Sequence, residues 1–114
     1  MLTQNTLTSD GNALLHLKGE FDAPGTQSVR NQLEAVVELD QHEHVVLDLS
    51  HVIFIDSSGV GAIVFLFKRL KQQNRSLEII GVQGQPRELF ELLRIHKAIP
   101  THWLVSLDNT MGVI

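Results

Sequence analysis

No cysteine occurs anywhere in the 114 residues. That one absence removes disulfides, thiolate metal sites and cysteine nucleophiles together, and it fits a reducing compartment. Basic charge is also scarce: 9 lysines and arginines stand against 13 acids, for a net charge of -4. A basic footprint for nucleic acid is therefore lacking. The polar start, MLTQNTLTSDGN, does not have the basic-then-apolar order of a secretory leader. The longest apolar run, Val60 to Phe67 with Gly61 inside it, falls far short of the ~20 residues that a membrane span needs. The expectation is a cytoplasmic protein with no membrane span. No linker, repeat or low-complexity tract divides the chain, so one domain over 1–114 is expected.

What is present suits a packed core. Hydrophobic residues make up 43% and charged ones 19%, proportions of a globular domain rather than a disordered one. In NALLHLKGEF, Leu15 and Leu17 alternate with His16 and Lys18, which is strand periodicity. LTQNTLT before it reads as a weaker strand, joined through SDGN by a hairpin turn at Asp10-Gly11. Pro24 opens a helix, and Val29, Leu33, Val36 and Val37 continue one apolar stripe to about residue 39.

HVVLDLS predicts a central strand over 43–49, followed by a helix over 57–73 and a strand over 76–82 with Leu77 and Ile79 on one face. Pro86 is expected to open a third helix carrying Leu89, Leu92 and Leu93, with THWLVSL as a last strand. The tail DNTMGVI is too short and too Gly-interrupted for a helix assignment. The order β-β-α-β-α-β-α-β is an α/β fold: a mixed, mostly parallel sheet packed by helices.

The stretch FIDSSGVG, residues 54–61, ends an apolar run in an acid and two hydroxyls before a very apolar helix. The plainest role for Asp56, Ser57 or Ser58 is a helix cap, accepting a bond from an otherwise unpaired backbone N–H. The setting asks for more. The helix behind is apolar nearly all round its first two turns, and a sheet covers only one side. Either another helix covers the rest or a partner does. The loop also follows a central strand, at the carboxyl end where ligands and partners meet such sheets. Gly59 and Gly61 either let a partner's backbone approach the first helical turn or pack that helix on its own sheet.

Other chemistries are weaker. A hydrolase with Ser57 as nucleophile needs a nearby base, and His51, six residues away, stands outside any G-x-S-x-G elbow. His42 and His44 are zinc ligands by type, but a polar loop before a strand accounts for them. Ser58-Gly59-Val60-Gly61 lacks both the third glycine of a dinucleotide loop and the Gly-Lys-Ser/Thr of a P-loop. Trp103 and the five phenylalanines are expected in the core. No cofactor and no resident metal are implied.

From VVLDLS through IDSSG-x-G, the L-x-I-x-G strand and the helix ending I-x-K, the chain resembles the STAS domain of bacterial anti-sigma factor antagonists. LKGEFDAPG resembles the family's G-E-x-D segment, about 35 residues upstream of the serine pair. The likeness weakens over the first ten residues and after about Leu107. It implies a non-enzymatic partner switch. Such antagonists bind an anti-sigma factor that is also a GHKL-type serine kinase and so free the sigma factor. The kinase phosphorylates the first serine after the aspartate, which breaks the complex, and a serine phosphatase resets it. Carried over by position, the phosphoacceptor is Ser57. Asp22, Asp56, Ser58, Gly59, Val60 and Gly61 complete the partner-binding set. STAS domains also serve as subunits of lipid transporters, as parts of anion transporters, and as switches for polysaccharide or biofilm output. Retention of the DSSG serine favours a phosphorylated switch over a constitutive transporter subunit.

Overall fold

The computed structural model describes residues 2–7, 12–38 and 42–105. The elements follow as β1 (Leu2–Leu7), β2 (Ala13–Phe21), α1 (Ala23–Glu38), β3 (His44–Ile55), α2 (Ser57–Gln72), β4 (Ser76–Val82), α3 (Gly84–Leu93), α4 (Ile95–Ala98) and β5 (Thr101–Trp103). They build one five-stranded sheet in the order β1-β2-β3-β4-β5. The β1–β2 pair is antiparallel and the other three pairings are parallel, so the mixed, mostly parallel α/β sheet is as expected. The one-turn α4 is an addition. The turn at Asp10-Gly11 and the tail beyond Val105 lie outside the described residues.

Register explains the core. Ala13 pairs with Val45, Leu15 with Leu47, Val45 with Leu77 and Leu47 with Ile79, so these side chains share one face. All are buried, and Leu33, Val36 and Val37 of α1 with Ile63, Leu66 and Leu70 of α2 join them in one cluster. Each large aliphatic side chain so buried contributes about 1.5–3 kcal/mol. Helix α1 packs along α2, which settles part of the question raised by the apolar α2: another helix covers one flank. Phe65 nevertheless stays exposed. Among the described residues no helix is long and apolar enough to cross a membrane.

Several boundaries differ from the sequence reading, each for a physical reason. Strand β3 runs to Ile55 rather than stopping near 49. Its polar stretch Asp48, Ser50 and His51 falls on the uncovered face, where polar side chains cost nothing. Near its end Gly19 pairs with Val52 and Glu20 with Phe54, which leaves Ile53 as an extra, bulged residue. Helix α3 starts at Gly84 instead of Pro86. The first helical turn has no intrahelical use for its N–H groups, so Pro86 sits inside it without loss. Leu92 and Leu93, expected on that helix's apolar stripe, are exposed at its end. The last strand stops at Trp103, although Leu104 still donates to the Val82 carbonyl. Phe21 and Phe90 are core residues, and Phe67 and Trp103 pack against the core, whereas Phe54 and Phe65 are exposed.

The opposite face of the sheet carries a row of imidazole–carboxylate pairs. His16 Nδ1 lies 2.8 Å from Asp48 Oδ2. Glu78 is held from two strands at once, by His44 Nε2 at 2.9 Å and His102 Nε2 at 2.6 Å. His44 Nδ1 meets the Ser76 hydroxyl at 2.6 Å, so its ring is fixed at both nitrogens. Burial pushes the Asp48 carboxyl up, but bonds from the Ser50 backbone, the Ser50 hydroxyl and His16 together outweigh it, and the group sits below its ordinary 3.8. The bond from His44 does most to lower Glu78 below its ordinary 4.5, against burial, with His102 adding to it.

A carboxyl whose folded pKa is depressed adds stability above its ordinary value and loses it as pH falls through the folded value. The thermal midpoint should therefore hold above pH 4.5 and decline below it as Glu78 and Asp48 are protonated. Glu78→Gln should lower the midpoint near neutrality and flatten this acid limb. Circular dichroism melts from about pH 6 to about pH 3 measure it; an equally steep limb in the variant would exclude Glu78 as a source.

Candidate functional site

The carboxyl ends of β2 and β3 lie side by side, and each leads directly into a helix. Asp22 follows β2, and its Oδ1 accepts the Gly25 N–H at 2.9 Å in the first turn of α1. Asp56 follows β3 and caps α2: its Oδ1 accepts the N–H of Ser58 at 2.9 Å and of Gly59 at 3.2 Å. The Asp56 N–H in turn donates to the Phe21 carbonyl at 3.3 Å. Asp22 and the serine loop, 34 residues apart in sequence, are thus brought to adjoining helix starts.

This assigns the roles within the DSSG turn. The cap is Asp56, not a serine. Ser57 is the first residue of α2, is exposed, and its hydroxyl has no hydrogen-bond partner among the described residues. Ser58 is half-buried and lines a groove of about 560 Å³ between α1 and α2, together with Thr26, Arg30, Gly61 and Phe65. Val60 turns inward against the core.

The two glycines have different jobs. Gly59 is buried, and a Cβ there would overlap the Phe21 carbonyl oxygen and stand 2.7 Å from Ile55 Cγ1. Packing of α2 on its own sheet demands that glycine, and partner approach does not. Gly61 is exposed with nothing within 4 Å of a Cβ, so it remains open to an approaching backbone.

Electrostatically the corner is acidic. Among the described residues no ion pair reaches Asp22 or Asp56. His51 does not serve Ser57: its Nδ1 meets the Ser50 hydroxyl at 3.1 Å. Among the described residues no group of three or more His, Asp or Glu is placed to hold a metal ion.

Sequence reasoning missed two parts of the corner. The bulge pushes Ile53 and Phe54 outward, 69% and 40% exposed, just ahead of Asp56. Four consecutive apolar residues, Val52 to Ile55, break strand alternation and were the available signal for such a bulge. The second is Gln85, whose side-chain amide bonds both backbone groups of Ile55. A polar residue in another helix's first turn carries no local pattern that points there.

Residues 3–107 match the STAS domain family, and the chain belongs to it. It is 29% identical over 104 residues to an anti-sigma F factor antagonist of Paenibacillus polymyxa, covering 91% of this chain and 85% of that one. In fold it is similar to an anti-sigma factor antagonist from Mycobacterium paratuberculosis, with a TM-score of 0.79 at 22% identity, over 99% and 92% of the two chains. It is also similar to the Bacillus cell fate determinant SpoIIAA in its phosphorylated form, with a TM-score of 0.68 at 14% identity over 97% of each chain.

The two glycines should part on substitution. Gly59→Ala should lower unfolding free energy by about 1–3 kcal/mol, because backbone must shift to admit the methyl group. Gly61→Ala should raise it by about 0.5–1 kcal/mol, since an exposed helical glycine gives way to a better helix former. Urea unfolding followed by circular dichroism reads both, and equal effects would remove the distinction drawn between them.

Proposed function

We propose that this STAS domain is a phosphorylation-controlled partner switch. Unmodified, it docks an anti-sigma factor that is also a GHKL-type serine kinase, and so releases the bound sigma factor. Phosphorylation of Ser57 abolishes docking, and a serine phosphatase restores it. The observation that carries this reading is the unengaged, exposed Ser57 hydroxyl beside a cap supplied entirely by Asp56. A serine that capped the helix would have its oxygen occupied; this one does not. The name of the Paenibacillus relative and the phosphorylated state of SpoIIAA support the same reading.

The chemistry is a phosphoryl transfer. The Ser57 oxygen forms a bond to the γ-phosphorus of ATP, the bond to the β-phosphate oxygen breaks, ADP leaves, and the hydroxyl proton passes to a base of the kinase. The product adds a charge of roughly -1.5 to -2 at the start of α2. The helix dipole stabilises it locally, by about 0.3–1 kcal/mol, so the fold survives. The partner does not tolerate it. A bare hydroxyl is desolvated at modest cost when it gains a hydrogen bond, whereas an unpaired dianion costs several kcal/mol or more. Asp22 and Asp56 add like charge on either side. The exposed Ile53, Phe54 and Gly61 around the serine supply the apolar, closely approachable surface that docking needs.

Incubation with the kinase and ATP, followed by mass spectrometry, should place the phosphate on Ser57. Ser28 and Ser76 are internal controls, because their hydroxyls already bond the Gly25 carbonyl and His44. Modification confined to Ser9, Ser28 or Ser76 would overturn the assignment. Ser57→Asp should weaken binding of the kinase by about tenfold or more, equivalent to ~1.4 kcal/mol, while Ser57→Ala binds as the parent does. Calorimetric titration measures both, with circular dichroism unchanged in each variant.

A further inference from the structure

Strand β4 pairs with β3 only as far as Asp48 and Ile80, yet β3 continues for seven more residues. Along that extension, side chains take over on the flank where backbone pairing with β4 has ended. Asp48 Oδ1 accepts the Ser50 N–H at 2.9 Å, and Gln83 Nε2 donates to the Ser50 carbonyl at 2.9 Å. At the far end Gln85 acts as a substitute strand residue. Its Oε1 accepts the Ile55 N–H at 2.8 Å and its Nε2 donates to the Ile55 carbonyl at 2.8 Å.

The peptide unit between Ile55 and Asp56 is consequently gripped from both sides. Its carbonyl is held by Gln85 of α3, and its N–H by the Phe21 carbonyl of β2. The next residue is the cap whose carboxylate holds Ser58 and Gly59, and the residue after it is Ser57. Ile55 is fully buried, so without Gln85 its two polar groups have no water to turn to.

We infer that Gln85 is a positioning residue of the switch: its amide locks the Ile55–Asp56 peptide and thereby fixes the direction in which the Ser57 hydroxyl is presented. The inference rests on the phosphorylation reading for its functional half and on backbone geometry for the other. It ties the start of α3 mechanically to the phosphoacceptor. Gln83, which grips the same strand five residues earlier, does not share this role.

Hydrogen exchange and steady-state phosphorylation by the kinase with ATP test it on three variants of the full chain. Gln85→Ala should speed exchange of the Ile55, Ser58 and Gly59 amides about tenfold or more, with the rest of the core protected as in the parent. Its kcat for Ser57 phosphorylation should fall about tenfold while KM stays within about twofold, since docking surface is kept and only the reacting hydroxyl is misaimed. Gln85→Glu keeps an acceptor for the Ile55 N–H but sets a carboxylate oxygen against the Ile55 carbonyl, and it should match the alanine variant in kcat and in Ser58 and Gly59 exchange. Gln83→Ala, which removes the single bond to the Ser50 carbonyl, should leave both readouts at parent values. Unchanged exchange at Ser58 and Gly59 in both Gln85 variants would overturn the inference, as would an equal fall in kcat for Gln83→Ala. If the parent chain itself takes no phosphate on Ser57, the switch reading fails, and the exchange data alone decide whether Gln85 holds the loop.

Discussion

The carbonyl oxygen of Phe21 is the point around which this end of the molecule is organised. It accepts the Asp56 N–H, and it lies so close to Gly59 that no side chain fits between them. One oxygen thus sets both the exit direction of β3 and the depth at which α2 settles on the sheet. With Gln85 gripping the other side of the same peptide, the start of α2 is determined by the ends of two different elements. The two acidic caps, Asp22 and Asp56, inherit their proximity from this arrangement and have no ion pair of their own among the described residues.

That arrangement separates two tasks which a DSSG turn merges in sequence. Ending a strand and starting a helix needs an oxygen for the orphan N–H groups, and the aspartate supplies it. Presenting a hydroxyl to another protein needs an oxygen that is not occupied, and the exposed Ser57 meets that condition. The surroundings are correspondingly uneven. Gly59 is buried and Val60 packs against the core, whereas Ile53, Phe54 and Gly61 are exposed.

Much of this was legible in sequence because it rests on local rules. The alternation at Leu15 and Leu17, the stripe Val29, Leu33, Val36 and Val37, and Val45, Leu47 and Leu49 of the apolar strand each report a buried face, and all are buried. The Asp56 turn followed from capping chemistry together with the family's motif spacing. What escaped depends on contacts far apart in the chain. Whether Gly59 served a partner or the fold turned on a carbonyl 38 residues earlier. The length of β3 depended on which face its polar residues would find. Gln85 reached Ile55 across 30 residues, a pairing that no periodicity encodes.

The cap also bears on how such a protein can change over generations. Because the side-chain cap bonds to Ser58 and Gly59 both come from Asp56, the side chain at position 57 carries no part of the cap. On the proposed switch reading, substitution there acts on signalling while the bonds of the Asp56 cap are kept. On that reading, a lineage that loses the serine keeps the Asp56 cap but has its control input deleted, and is fixed in one state as a permanent binder. Control, on the same reading, and helix capping then sit on neighbouring side chains, 57 and 56.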